Sequence, residues 1–286
     1  MLNIAKILLP IDFSVRSTDA ADAAAAIAEH FDSEIALLHV LAPRVDLPLT
    51  TSPQTSMLDC GARAEAERKM KEFRSGEWGH LEVKRVVREG DPARTIVEYA
   101  TEEHADLIMM PTHGYGPFRR LLLGSITAKV LHDAECLVWT AVHTPDTPSD
   151  VPAQPRRIAC AVDLGPQSSS VLSWASRLSG EFGAALSVIH VVASLDPRTE
   201  DYYLAPEWRG HVIGEARSEL ARLLQTEGVN GEIHIEVGAI ADAVVYAART
   251  VPADLLIIGR SGGVTGRLPT NAYAIIRQSP CPVLSV

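Results

Sequence analysis

The sequence predicts an α/β protein made of two tandem copies of an open, parallel five-stranded sheet with helices on both faces. Short aliphatic runs alternate with alanine-rich amphipathic stretches along the chain, as strands alternate with crossover helices in such folds. The runs are nearly continuous in apolar residues, which is typical of parallel strands covered on both faces. The second half of the chain also repeats the pattern of the first.

The first half contains five candidate strands with four candidate helices between them. The candidate strands are KILLPI, EIALLHV, VKRVV, ADLIMM and CLVWTA. The candidate helices are STDAADAAAAIAEHF, ARAEAERKMKEF, PARTIVEYATEE and SITAKVLHD. The segments after the second strand of each half, 45–60 and 194–208, are long and partly polar. We predict surface loops there, with a lid or a partner surface as the alternative.

The repeat aligns chemically similar residues over most of both halves. The aligned segments include 6–14 with 157–165, 36–42 with 187–193, and 135–141 with 280–286. This alignment places Asp12 opposite Asp163, and its offset falls only from 151 to 145 residues. The chain is therefore a duplicated domain rather than an array of short repeats.

A stretch rich in Pro, Asp, Ser and Thr separates the two copies, and such a composition is typical of a linker. We predict a first domain over residues 1–143, a linker over 144–155 and a second domain over 156–286.

Composition excludes several classes of function. The formal net charge of −10 argues against nucleic acid or an anionic membrane as partner, because both require a basic surface. The N-terminal apolar run is interrupted by Asp12, so we expect no signal peptide, and no stretch reaches the ~20 apolar residues of a membrane span. The four cysteines and ten histidines are scattered without metal-ligand spacing. We therefore expect a cytoplasmic protein with free thiols and no protein-bound metal site.

The segment PTHGYGPFRRLLLGS, residues 111–125, combines glycines with the start of a predicted helix. It lacks the GxxxxGK[ST] pattern of a P-loop and the later glycine of a dinucleotide fingerprint. Gly114 can turn without steric cost, Gly124 permits close approach of a ligand, and Ser125 opens a helix whose first N–H groups lack partners. The hydroxyls of Ser125 and Thr127 can add donors. The alternative is a loop glycine followed by a serine N-cap, which needs no ligand.

The pattern G-x-x-G, nine residues, then G-[ST], located after a fourth strand and before a last helix, resembles that of nucleotide-binding universal stress proteins. The resemblance also rests on LLPIDFS, LLHV and AECLVWTA, and it covers nearly all 286 residues. It implies a tandem protein of Rossmann-like, adenine-nucleotide-binding type that binds ATP, with Mg²⁺ as a companion ion. Pro111 stands where the family pattern has its opening glycine, and it removes one backbone donor and fixes φ.

The resemblance implies a role for each matching residue of the first half. Asp12 would receive the adenine or ribose side of ATP, and Val40 would meet adenine through its backbone. The pocket would be lined by Pro10, Ile11, Met110, Pro111 and His113. The phosphates would be held by Gly114, Gly124, Ser125, Ile126 and Thr127.

The second half carries a degenerate version of the pattern. Gly259 and Gly262 are present, but the sequence alignment sets Ala272 and Tyr273 where Gly-Ser should follow. We expect weak or no triphosphate binding there, while an adenosine-like ligand at Asp163 and Val191 stays open.

Several of these residues also have a structural interpretation that requires no ligand. Asp12 suits an N-cap or an Asx turn before the first helix. His39 and His190 end apolar strands, where histidines are mostly satisfied within the core. Cys136 and Cys281 are expected to behave as small buried hydrophobic residues on the last strands.

The leading functional hypothesis is an ATP-binding, non-catalytic stress-response regulator or sensor, with nucleotide held mainly by the first half. One alternative is a slow ATP hydrolase in which Asp12 or His113 positions a water. Another is a protein-interaction module without nucleotide. The resemblance and the duplication also predict an intramolecular pseudo-dimer of the two domains. A homodimer of the whole chain and an unknown regulatory protein partner are left open.

Overall fold

The structure is a computed structural model that describes residues 2–43, 53–112, 123–142, 154–193, 206–260 and 270–286. The chain forms two compact units. One is built mainly from residues 3–119 and 124–139, and the other from residues 140–286.

The described residues of the first half form five strands and four helices that alternate along the chain. They are β1 (Lys6–Pro10), α1 (Val15–Phe31), β2 (Glu34–Leu41), α2 (Pro53–Glu72), β3 (Val83–Glu89), α3 (Pro92–Glu102), β4 (Leu107–Met110), α4 (Ser125–Asp133) and β5 (Leu137–Thr140).

The second half repeats this order of elements in its described residues. They are β6 (Arg157–Val162), α5 (Ser168–Phe182), β7 (Ala185–Ala193), α6 (Pro206–Glu227), β8 (Glu232–Gly238), α7 (Ile240–Thr250), β9 (Leu255–Ile258), α8 (Thr270–Gln278) and β10 (Val283–Ser285).

Both halves have the same strand order. It is β3-β2-β1-β4-β5 in the first half and β8-β7-β6-β9-β10 in the second. Strand β1 pairs in parallel with β2 and β4, and β6 pairs in parallel with β7 and β9. The predicted α/β fold with two tandem domains is therefore confirmed. The strand order reverses at β1 and at β6, and the carboxyl ends of strands flanking such a point form the usual ligand crevice.

The central strands are held by apolar burial. Ile7, Leu8 and Leu9 of β1 and Leu37 of β2 are fully inaccessible to solvent. Burial of such a side chain contributes about 1.5–3 kcal/mol. Helix α1 covers them with small residues, since its buried positions are mostly alanines. Its N-cap is Ser14, whose hydroxyl accepts from the N–H of Ser17. The core therefore fixes where the carboxyl ends of the strands lie.

Two helices begin earlier than predicted. Helix α2 begins at Pro53, inside the segment 45–60 predicted as a loop, and α6 begins at Pro206, inside 194–208. Proline suits the first helical position because its fixed φ is helical and its missing N–H would have no partner there. The loop prediction was therefore wrong at the ends of both segments. The remainders of these segments lie outside the described residues, as do residues 144–153 of the predicted linker.

Candidate functional site

A cavity of about 140 Å³ lies in the first half at the carboxyl ends of β1, β2 and β4. The structure brings together eight of the residues singled out from the sequence, which are Pro10, Ile11, Asp12, Val40, Met110, Pro111, Ile126 and Thr127. Gly124 and Ser125 begin helix α4 directly before the last two of these. His113 and Gly114 lie outside the described residues.

Five lining residues were not assigned to the site from the sequence. They are Ser17, Leu38, His39, Pro92 and Ile96. Pro92 and Ile96 belong to α3, and only the tertiary fold brings that helix to the cavity. Ser17 had a sequence signal, because a serine follows each strand-end aspartate by five positions in both halves.

Asp12 makes the Asx turn that the sequence allowed, and Ser14 rather than Asp12 is the helix N-cap. The Asp12 Oδ1 accepts from the N–H of Ser14 at 3.0 Å and from the hydroxyl of Ser17 at 2.6 Å. The turn places Phe13 at a φ of 61°, and the equivalent Leu164 also has a φ of 61°. A left-handed φ costs a residue other than glycine about 1–2 kcal/mol, so this turn is held by its hydrogen bonds in both halves.

His39 ties the second strand to the same turn. Its Nδ1 lies 2.8 Å from the carbonyl oxygen of Ile11. A carbonyl can only accept, so Nδ1 carries the hydrogen and donates. The ring also packs on Phe13, with 4.5 Å between ring centroids. His190 makes the same bond to the carbonyl of Val162, at 2.9 Å. Both histidines therefore have the satisfied structural role that the sequence suggested.

Helix α4 begins at the cavity without a side-chain cap. Its N-cap is Gly124, and no side-chain hydrogen bond caps it. The Gly124 N–H donates to the carbonyl of Thr112 at 2.9 Å, and the buried Thr127 hydroxyl donates to the carbonyl of Pro111 at 3.1 Å. These two donors were predicted to hold phosphate, but both bond to backbone carbonyls of the protein. The N–H groups of the first helical turn and the exposed Ser125 remain at the helix start.

An ion pair lies beside the cavity. Asp91, the N-cap of α3, accepts from the N–H of Arg94 at 3.0 Å and lies 3.3 Å from Nζ of Lys129 on α4. The Arg94 N–H and then the Lys129 ammonium lower the pKa of the Asp91 carboxyl. Pro92, the next residue, lines the cavity. The ion pair therefore links the start of α3 to α4 beside a lining residue of the cavity.

The second half keeps the turn but has a different residue after its fourth strand. Asp163 accepts from the hydroxyl of Ser168 at 3.2 Å, and Val191 is the last buried residue of its strand, whereas the equivalent Val40 is only partly buried. Gly259 stands where the first half has Pro111. A Cβ added there would meet Oε1 of Gln167 at 3.2 Å, so this glycine accommodates a neighbouring side chain. Gly262 lies outside the described residues.

The start of the last helix corrects the sequence alignment. Helices α4 and α8 both have nine residues. Their buried positions match as Thr127, Val130 and Leu131 with Ala272, Ile275 and Ile276. This match places Thr270 opposite Ser125. The alignment of Ala272 and Tyr273 with Gly-Ser was therefore wrong, because it placed the gap after the helix instead of in the loop before it. A hydroxyl is retained at the start of α8.

Two kinds of functional feature are absent from the described residues. No group of three or more His, Cys, Asp or Glu side chains in these ranges is arranged to hold a metal ion. No helix within the described part of the chain is long and apolar enough to cross a membrane.

Of the thiols, Cys160 and Cys281 are buried, and burial raises the pKa of each to about 12. Cys136 is half-buried, so the expectation of burial was met by Cys281 and not by Cys136.

Comparison with known proteins gives a consistent result. The model of the Universal stress protein family matches residues 3–141 and again residues 155–286. A universal stress protein of Mycolicibacterium smegmatis is 27% identical over 98% of this chain and 96% of its own length. The universal stress protein MJ0531 of Methanocaldococcus jannaschii is 39% identical over 46% of this chain and 79% of its own length. The crystal structure of a universal stress protein from Archaeoglobus fulgidus covers 99% of this chain and 96% of its own, with a TM-score of 0.68 at 22% identity.

Proposed function

The chain belongs to the universal stress protein family, and we propose that it is an ATP-binding, non-catalytic regulator whose first half holds the nucleotide. The observation that carries the proposal is the cavity of about 140 Å³ at the carboxyl ends of β1, β2 and β4, next to the uncapped start of α4. A largely apolar cavity beside helical N–H groups that have no partner within their own helix has the two chemistries that a nucleotide needs.

The lining residues fit the parts of an adenine nucleotide. Ile96, Met110 and Val40 offer apolar walls to a base, and Asp12 offers a carboxylate to hydroxyl or amino donors. At the other end, the first N–H groups of α4 and the positive end of its dipole favour phosphate oxygens. Mg²⁺ would arrive with the triphosphate, as is usual for this ion.

Regulation by the nucleotide requires two states of the protein that bind ATP with different affinity. We propose that bound ATP selects one of them and thereby sets the choice of a protein partner. The same proposal includes domain boundaries at residues 143 and 156, a pseudo-dimer of the two domains and a homodimer of the chain.

The proposal is tested by calorimetric titration of the nucleotide-stripped, full-length chain with Mg·ATP. We expect a stoichiometry near one ATP per chain, with saturable heat. The absence of binding would contradict the proposal and favour an interaction module without nucleotide. Phosphate release in the same samples is expected to stay at the level of a buffer blank. If the chain does release phosphate, and if Asp12→Ala abolishes this turnover while ATP still binds, the slow hydrolase would be favoured.

A charge substitution separates binding from folding. Ser125→Asp places a carboxylate in the first turn of α4, where it repels phosphate but interacts favourably with the helix dipole. We expect ATP binding to fall at least tenfold while the free energy of unfolding stays equal or rises by about 0.3–1 kcal/mol. The matched control is Thr270→Asp at the start of α8, which should leave the affinity for ATP unchanged. Equal losses in the two variants would contradict a site confined to the first half.

A further inference from the structure

Ser17 is a buried hydroxyl that holds two parts of Asp12 at once. The side chain is 1% exposed. Its Oγ donates to Oδ1 of Asp12 at 2.6 Å and accepts from the backbone N–H of Asp12 at 3.0 Å. One hydroxyl therefore fixes both the backbone and the carboxylate of the same residue. Hydrogen bonds to an ionised carboxylate are among the stronger ones in proteins.

The bonds to Asp12 use one carboxylate oxygen. Oδ1 accepts from the Ser17 hydroxyl and from the N–H of Ser14. Within the described ranges no donor pairs with Oδ2, while Asp12 itself lines the cavity. A carboxylate is an acceptor only, so Oδ2 keeps its lone pairs for a donor from outside the turn. A ligand hydroxyl or amino group is such a donor.

The second half contains the same strand-end turn without a serine at the position of Ser14. Gly165 replaces Ser14, and the carboxylate of Asp163 lies against it. A Cβ added at Gly165 would meet Oδ1 of Asp163 at 2.9 Å and Oδ2 at 3.3 Å, which is too close for the carboxylate to stay there. Ser14 has a Cβ, so the carboxylate of Asp12 cannot occupy the place that the carboxylate of Asp163 occupies in the second half. The hydroxyl of Ser168 is also farther from its carboxylate, at 3.2 Å.

We propose that Ser17 is a positioning residue of the ligand site: with the Cβ of Ser14 it directs Oδ2 of Asp12 into the cavity, toward the hydroxyl or amino donors of the bound nucleoside. The proposal rests on the proposed function. Ser17 acts through Asp12 and does not itself bind the ligand. The second half keeps the serine but lacks the Cβ, and both carboxylate oxygens of Asp163 lie close to Gly165.

The test is a double-mutant cycle in the full-length chain, with Mg·ATP as the titrant. The variants are Ser17→Ala, Asp12→Ala and the double variant. We expect Ser17→Ala to weaken binding about tenfold. Because Ser17 acts through Asp12, the double variant should bind no more weakly than Asp12→Ala. Losses that multiply, or an unchanged affinity of Ser17→Ala, would overturn the proposal.

Two further variants separate positioning from stability. Ser168→Ala removes the equivalent hydroxyl of the second half, and it should change the thermal midpoint without changing the affinity for ATP. Ser14→Gly recreates the arrangement of the second half, and glycine remains an acceptable N-cap. We expect this variant to stay folded and to bind ATP several-fold more weakly. Retained affinity in folded Ser14→Gly would overturn the role of its Cβ, and a wild-type chain that binds no ATP would overturn the proposed function as well.

Discussion

At the scale of single residues, Pro111 is the clearest departure from the family pattern. It lines the cavity, and its carbonyl accepts from the hydroxyl of Thr127. Its nitrogen carries no hydrogen, so one backbone donor that a glycine would supply is missing at this point. The second half has Gly259 at the equivalent position, but Gln167 occupies the space beside it. The first half therefore lacks the backbone N–H of a glycine at this position, and the second half has the glycine but with a side chain beside it.

Replacing Pro111 with glycine should strengthen the site. Pro111→Gly restores an N–H and leaves the carbonyl that Thr127 uses, so we expect ATP to bind several-fold more tightly. The free energy of unfolding should fall by about 0.4–1 kcal/mol, because glycine increases the entropy of the unfolded chain. Calorimetry and thermal denaturation measure the two effects. The control is Gly259→Ala, which should leave ATP binding unchanged, and weaker binding by Pro111→Gly would show that the proline shapes the site favourably.

Ser17 shows which part of a site can be read from residues alone. Asp12 stands out because it ends a strand and precedes a turn. The partner of its carboxylate is five positions away, at the first residue of a predicted helix, where a serine indicates an N-cap rather than a partner of Asp12. The signal that could have identified it was the same spacing in the second half, Asp163 to Ser168. A local pattern predicts a turn, but the choice of hydrogen-bond partner depends on side-chain geometry.

At the scale of elements, the helix starts differ between the halves in a way that should affect stability. In the first half, Asp91 caps α3 and accepts from the N–H of Arg94. In the second half, Ala239 occupies the N-cap of α7 and makes no side-chain cap bond. An N-cap acceptor satisfies one of the orphan N–H groups of the first turn. The two helices thus form a natural pair of capped and uncapped variants.

Exchanging these caps should move stability in opposite directions. Ala239→Asp should raise the free energy of unfolding by about 1 kcal/mol, and Asp91→Ala should lower it. Because the fold lowers the pKa of Asp91 below its ordinary value of 3.8, its contribution is complete above that pH and is lost as the pH falls through the lower, folded-state pKa. Thermal denaturation at neutral and acidic pH measures both effects. A stability gap between wild type and Asp91→Ala that persists at the most acidic pH would contradict this account.

The helices and strands were largely predictable because the sequence patterns that indicate them are local. Alternating apolar runs indicated the strands, and the duplication indicated that the second half repeats them, whereas the strand order became known only from the structure. The early starts of α2 and α6 were missed since their first turns follow proline-containing polar segments that also suit loops. Pro92 and Ile96 were missed for a different reason. Their helix reaches the cavity only through the packing of α3 on the sheet, which no local pattern encodes.

At the scale of the whole molecule, one fold occurs twice with different residues at the carboxyl ends of its central strands. Both halves keep the strand order, the strand-end aspartate and the histidine bond to the preceding carbonyl. They differ where a ligand would be held, at Ser14 and Gly165 and at Pro111 and Gly259. A duplicated chain can in this way keep two stable domains while a ligand acts on one of them. Any effect of the ligand on the other half must then appear as a change in its equilibrium between states.

Hydrogen–deuterium exchange on the full-length chain can locate that effect. Saturating Mg·ATP stabilises the form that binds it, by about 2.7 kcal/mol at a hundredfold excess over Kd. We expect slower exchange at the carboxyl ends of β1 and β4 and in the first turn of α4, because opening these segments releases the ligand. The equivalent ends of β6 and β9 provide the internal control. Equal protection of both sets would mean that both halves bind nucleotide, and protection confined to the second half would reverse the assignment. A smaller change in the second half that disappears in Ser125→Asp would instead measure the coupling through which bound ATP alters the rest of the chain.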